Sequence, residues 1–92
     1  MLHTTEQAQK IIDWRLMFFT DDEYVATHHF PVVPKIGELW KIPASEYDAK
    51  GEQVSLRILD VIYDWQGIEY DNGYLNGWYV DIKIRCRYEN GD

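Results

Sequence analysis

The stretch VSLRILDVIYDW, residues 54–65, decides the fold. Val54, Leu56 and Ile58 share one parity, whereas Leu59, Val61, Tyr63 and Trp65 share the other. A strand sends successive side chains to opposite sides, so the apolar face changes parity near Leu59 and Asp60. One extra residue in the strand, a β-bulge, or a sharp bend would keep the same face on a core across that change. Small, strongly curved sheets need such a device. The segment therefore predicts a long strand, bent at Leu59–Asp60.

Reading outward, the next strand is clearer still. Trp78, Val80, Ile82, Ile84, Cys86 and Tyr88 alternate with Tyr79, Asp81, Lys83, Arg85 and Arg87, which predicts an apolar inner row and a charged outer row. Between these two strands lie Asn72-Gly73 and Asn76-Gly77, pairs that favour tight turns with positive φ. Upstream, PASEYDAKGEQ separates the apolar run IGELWKI from the bent strand. Further upstream, TDDE (Thr20–Glu23) divides DWRLMFF from YVATHHF, as in a hairpin.

The first residues admit two readings. Thr4 with Gln7 resembles a capping box, and Ala8, Ile11, Ile12, Leu16 and Phe19 fit one helical face. Trp14, Met17 and Phe18 nevertheless make the segment apolar on nearly every side, which favours a strand from about Ile11. Residues 5–19 thus remain helix or strand.

A chain of 92 residues makes a single domain. Residues 1–9 are expected to be flexible or a short helix, 10–88 to form the body, and 89–92 to be a tail. The expected fold is all-β, or α+β with a short N-terminal helix: a small antiparallel barrel of about five strands. The expected core comprises Ile12, Trp14 or Leu16, Phe18, Ile36, Leu39 or Trp40, Leu56, Ile58, Val61, Val80, Ile82, Ile84 and Cys86.

The joint HHFPVVPKIGELWKI (residues 28–42) invites a metal-site reading. On a strand, however, His28 and His29 point to opposite faces and cannot grip one ion together. Pro31 and Pro34 donate no backbone hydrogen bond and end a strand, and Gly37 permits a sharp re-entry into ELWKI. The histidines read as strand-borne surface or edge residues, and the joint as a corner. Phe30-Pro31-Val32-Val33-Pro34-Lys35-Ile36-Gly37-Glu38-Leu39-Trp40 resembles an FPxVPxIGE joint of small bacterial and phage proteins of unknown function. That resemblance implies an SH3-like barrel, in which a first hairpin leads through the joint into the next strand. It carries over no functional residue.

Composition narrows the function. Nine basic residues stand against sixteen acidic ones, a net charge of −7, which argues against direct binding of nucleic acid phosphates. A single cysteine, Cys86, can form no internal disulfide, and no Cys/His spacing matches a zinc module. Alternation aims Cys86 inward between the outward Arg85 and Arg87, so it reads as a buried, inert thiol. No P-loop, dinucleotide fingerprint, EF-hand loop or nucleophile elbow occurs. Nothing approaches a membrane span or a signal peptide, and the expected compartment is the cytoplasm. No metal, cofactor or catalytic residue is expected.

The suggestive stretch is DVIYDWQGIEYDNGYLNGWY (residues 60–79), where acids interleave with aromatics. From Gly51 to Tyr74, Glu52, Asp60, Asp64, Glu69 and Asp71 face only Arg57 among the basic residues. Large aromatics fill small cores, and acids keep a loop solvated. Tyr and Trp also anchor protein interfaces, and carboxylates complement a basic partner. The expected partner-binding residues are Asp60, Asp64, Trp65, Glu69, Tyr70 and Asp71, and the expected partner a basic protein. In a more specific form the chain is a phage- or prophage-encoded inhibitor of a host nucleic-acid-binding protein. The alternative is a structural or assembly component that works as a homo-oligomer, pairing through the DWRLMFF edge. A more distant reading is a metal-dependent hydrolase using His28 or His29 with the DDE turn.

Overall fold

The computed structural model describes residues 11–45, 50–69 and 75–89. Five strands account for most of them: β1 (Ile11–Phe19), β2 (Tyr24–His28), β3 (Leu39–Pro43), β4 (Gln53–Glu69) and β5 (Leu75–Tyr88). They form one sheet in the order β2-β1-β5-β4-β3, curled into a half-barrel. The all-β expectation holds, and Ile11 opens a strand rather than a helix. Residues 1–10 lie outside the described part.

The bend falls where the parity change puts it. Ile58 pairs with Cys86 and Asp60 with Arg85, so Leu59 is the extra residue of a bulge. Before it, Leu56 and Ile58 face the core; after it, Val61, Tyr63 and Trp65 stand opposite Ile84, Ile82 and Val80 on that same inner face. The β1–β2 hairpin closes at Thr20–Glu23, where the Thr20 amide donates to the Glu23 carbonyl at 2.8 Å and the Glu23 amide to Thr20 Oγ1 at 3.2 Å.

Two expectations change. β1 runs parallel to β5, so the sheet is mixed, although the other three pairings are antiparallel. In consequence β1 lies between β2 and β5, and DWRLMFF is not an edge along Leu16–Phe19. The free edges belong to β2 and β3, to β1 before Leu16 and to β4 where β3 no longer covers it.

The core holds Leu16, Phe18, Ala26, Ile42, Leu56, Ile58, Val80, Ile82, Ile84 and Cys86. Of the paired alternatives, Leu16 is buried whereas Trp14 is not, and Trp40 packs on the core whereas Leu39 is exposed. Val61 is half-buried against the cluster. The side chain of Ile12 lies outside the described part. Ile36 is a correction. It is 66% exposed because it sits at the tip of a turn, where the Glu38 amide bonds the Lys35 carbonyl at 3.1 Å. Gly37 takes φ 93° at the third position, as a type II turn requires. Inward alternation in β5 holds from Val80 to Cys86 but not at Tyr88, which is exposed at the strand end.

The molecule is elongated. It measures 55 × 25 × 21 Å with a radius of gyration of 16.1 Å, against roughly 12 Å for a compact chain of this length. From the bulge onward, β4 runs beyond the cover of β3, flanked on its inner side by β5.

Candidate functional site: an aromatic cleft at the open end

The two ends of the half-barrel differ. At one end, the first and last strands of the sheet meet. His28 Nε2 donates to the Pro43 carbonyl at 2.8 Å, which ties β2 to β3. The imidazole stacks on Phe30 at 4.6 Å and meets Phe18 edge-on at 6.3 Å. His28 is therefore a buried residue and not the expected surface histidine; its edge strand is rolled inward onto the core. His29 is exposed on the other face, as alternation requires. Among the described residues no three His, Cys, Asp or Glu side chains converge on a possible metal position.

The FPxVPxIGE joint forms the wall of this closed end. Phe30 joins Phe18, His28 and Trp40 in one ring cluster, and Pro34 is buried. Glu38 Oε1 accepts from the Lys35 amide at 2.7 Å and from Trp40 Nε1 at 3.0 Å. These two donors hold the Glu38 carboxyl below the ordinary glutamate range. Arg57 donates to the Gly37 carbonyl at 2.9 Å and makes a paired contact with Glu89, at 2.6 and 3.0 Å. That contact likewise depresses Glu89. Cys86 is buried beneath, its thiol 3.2 Å from the Phe19 carbonyl, and burial pushes its pKa up to about 11. The expected burial of this thiol holds, and a raised pKa disfavours the reactive thiolate.

At the other end the inner face is open. Tyr63 and Trp65 of β4 stack at 6.5 Å, nearly parallel, and Trp78 of β5 meets Trp65 edge-on at 6.2 Å. Trp14 and Ile11 of β1 face them across β5, and Phe30, Pro31 and Val33 form the near wall. A cleft of about 270 Å³ results, floored by Val80 and Ile82. Tyr63 and Trp65 are 49% and 48% exposed, although Leu56 and Ile58 on the same face of the same strand are at 0% and 1%. Trp14 Nε1 donates to the Phe30 carbonyl at 2.8 Å.

The expected partner-binding residues do not form one surface. After the bulge, even-numbered residues of β4 face the convex side and odd-numbered residues the cleft. Asp60 and Asp64 are thus convex, and Trp65 is concave. Asp64 lies 3.6 Å from Lys83, and Asp60 Oδ1 accepts from the Val61 amide at 2.9 Å. Glu69 ends β4 opposite Leu75; Tyr70 and Asp71 lie outside the described residues. Elsewhere on the described surface, Arg15 grips Asp81 through two bonds of 2.9 and 3.0 Å, and Arg85 reaches Asp21 at 3.3 Å. Reading the stretch as a surface missed Tyr63, Trp14 and Trp78. The signal that finds two of them is the same parity rule, carried through the bulge.

No helix among the described residues is long and apolar enough to cross a membrane. No protein-family model, no curated protein and no solved structure matches the chain.

Proposed function

We propose that this chain is a non-enzymatic protein-binding module that takes its partner at the open, aromatic end of the half-barrel. The observation that carries this reading is the half-exposed Tyr63–Trp65 stack beside Trp14, on the same face that is sealed at Leu56 and Ile58. A small domain gains stability by burying its aromatics. Apolar patches left uncovered on a folded surface mark interaction sites, and Tyr and Trp are the commonest anchors there. A net charge of −7 favours a basic partner and speeds the encounter.

In its more specific form, the partner is a host nucleic-acid-binding protein and the chain a phage-borne inhibitor. The support is the net charge alone, and competition by that partner's own DNA or RNA is the test. The SH3-like resemblance of the Phe30–Trp40 joint fits a module of this size and leaves the partner open.

The reading is tested by retaining proteins from a lysate, with and without nuclease, on the intact chain and on a Tyr63→Ala/Trp65→Ala variant. A basic protein should be retained by the intact chain, resist nuclease and be lost from the variant. Equal retention by a variant that remains folded by circular dichroism would overturn the reading.

A further inference from the structure

We infer that the outer edge of β4, from Val61 to Gly67, accepts an extended partner segment by strand addition, with apolar side chains entering the cleft and basic ones opposing Asp60 and Asp64. This rests on the module reading and names the kind of partner it fits.

Backbone geometry supplies the first support. β3 covers β4 only from Gln53 to Arg57, and the turn before β3 covers Ile58: the Ile58 amide donates to the Glu38 carbonyl and its carbonyl accepts from Gly37. Ladder groups alternate along a strand. Ile58 points away from β5, so the extra residue at Leu59 makes Val61, Tyr63, Trp65 and Gly67 point away as well. The Val61 amide, capped by the Asp60 carboxylate, agrees with this. Among the described residues no strand pairs with this edge.

The second support is how the sheet treats its other edges. Natural sheets blunt an edge with short strands, lysine, proline or cover. β2 and β3 have five residues each; β3 carries Lys41 and ends at Pro43, and β2 is clasped by His28. The β4 edge VIYDWQG has neither lysine nor proline. It also presents Ile62, Tyr63 and Trp65, each about half exposed.

Charge selects the occupant. Acids and aromatics of β4 lie on opposite faces, so no flat protein surface meets both rows. A partner strand does, because its own side chains alternate. The convex row beside the edge is Asp60, Ile62, Asp64 and Gln66, with no cation on β4 past the bulge; on the β5 side, Arg85 stands opposite Asp60 and Lys83 lies 3.6 Å from Asp64. A segment alternating apolar and basic residues matches both rows. A second copy brings the same acids to the seam, where like charges repel.

The test uses the full chain and three synthetic peptides of about eight residues: valine alternating with lysine, valine alternating with glutamate, and valine and lysine segregated into two blocks. The alternating basic peptide should protect the Tyr63, Trp65 and Gly67 amides from exchange and quench tryptophan fluorescence. The acidic peptide should bind at least about tenfold more weakly. An Asp60→Asn/Asp64→Asn variant should bind both alternating peptides alike. Equal binding of all three peptides to the intact chain, or of none, overturns strand addition. So does a dimer seen by sedimentation that Trp65→Ala abolishes, which assigns the edge to a second copy. If strand addition fails while lysate retention still depends on Tyr63 and Trp65, the module reading stands alone; if that retention is also indifferent to them, both fall.

Discussion

β4 passes through two environments on one inner face. Between Leu56 and Ile58 it is sealed under Phe18, Trp40 and the joint; between Tyr63 and Trp65 it is half open. The chemistry of the side chains does not explain this, since the open residues are the larger and more apolar-rich in surface. Cover does. The closed end has β2 and β3 rolled together, whereas the open end has only the joint along one side. A single bulge at Leu59 keeps the apolar row on one face throughout, so the molecule has one continuous apolar surface with a lid over part of it. The covered part stabilises the fold, and the uncovered part is where the proposed partner binds.

The largest effect is expected where the cover is complete. Phe18 is fully buried among His28, Phe30 and Trp40. Phe18→Ala should destabilise the domain by about 4 kcal/mol, read from denaturant melts. For a domain of this size that is a large share of the whole. A loss no greater than that of Trp65→Ala would break the distinction between the ends.

Next comes the clasp. His28→Ala removes the hydrogen bond to Pro43 and the stack on Phe30, and should cost about 2 kcal/mol. Faster amide exchange should appear in β2 and β3 and spare the distal part of β5. Uniform acceleration along all five strands would show that His28 is ordinary core and not the link between edges.

The type II turn follows. A Cβ at Gly37 meets nothing within 4 Å, so space is no obstacle. The φ of 93° is the constraint. Gly37→Ala should cost about 1–2 kcal/mol, and Gly37→Asn less, because Asn tolerates positive φ better. Equal losses would point to the turn relaxing rather than straining.

At the open end, Trp65→Ala should cost about 1 kcal/mol, since half of its surface is already wet and it leaves no sealed cavity. Partner binding should nevertheless collapse. Stability and binding thus part company at Trp65 and coincide at Phe18, which sharpens the contrast between the ends.

Much of this was legible in local pattern. The parity change at Leu59, the inward row of β5, the divergence of His28 and His29 and the hairpin at Thr20–Glu23 each follow from period-two alternation or turn chemistry. What was not legible depends on contacts distant in the chain. Parallel pairing of β1 with β5 joins Trp14 to Val80 and leaves no local mark. That pairing also puts the Leu16–Phe19 part of DWRLMFF inside the sheet. Burial of His28 depends on β3 closing against β2, and exposure of Ile36 on its place at a turn tip. The separation of Asp60 and Asp64 from Trp65 was within reach. It needed the alternation rule to be extended past the bulge, where composition alone suggested one mixed surface.

The smallest effect concerns acid, and it too distinguishes the ends. Glu38 and Glu89 both brace the closed end, and both are held below the ordinary glutamate range, Glu38 first by the Lys35 amide and Glu89 first by the Arg57 hydrogen bonds. A carboxyl depressed in the folded state binds protons more readily when unfolded. Its contribution is therefore present above the ordinary glutamate pKa and is lost as pH falls through the depressed folded value. Glu38 is exposed and Glu89 only half-buried, so the loss is small and further weakened by salt. Glu38→Gln should flatten the acid limb of a stability-versus-pH curve while leaving the slope near neutrality unchanged. Amides of Gly37, Glu38 and Ile58 should lose protection on acidification before those of Ile82 and Ile84. If Glu38→Gln leaves the acid limb as steep as before, the turn is held by Gly37 and the Lys35–Glu38 backbone bond alone, and the carboxylate is incidental to the closed end.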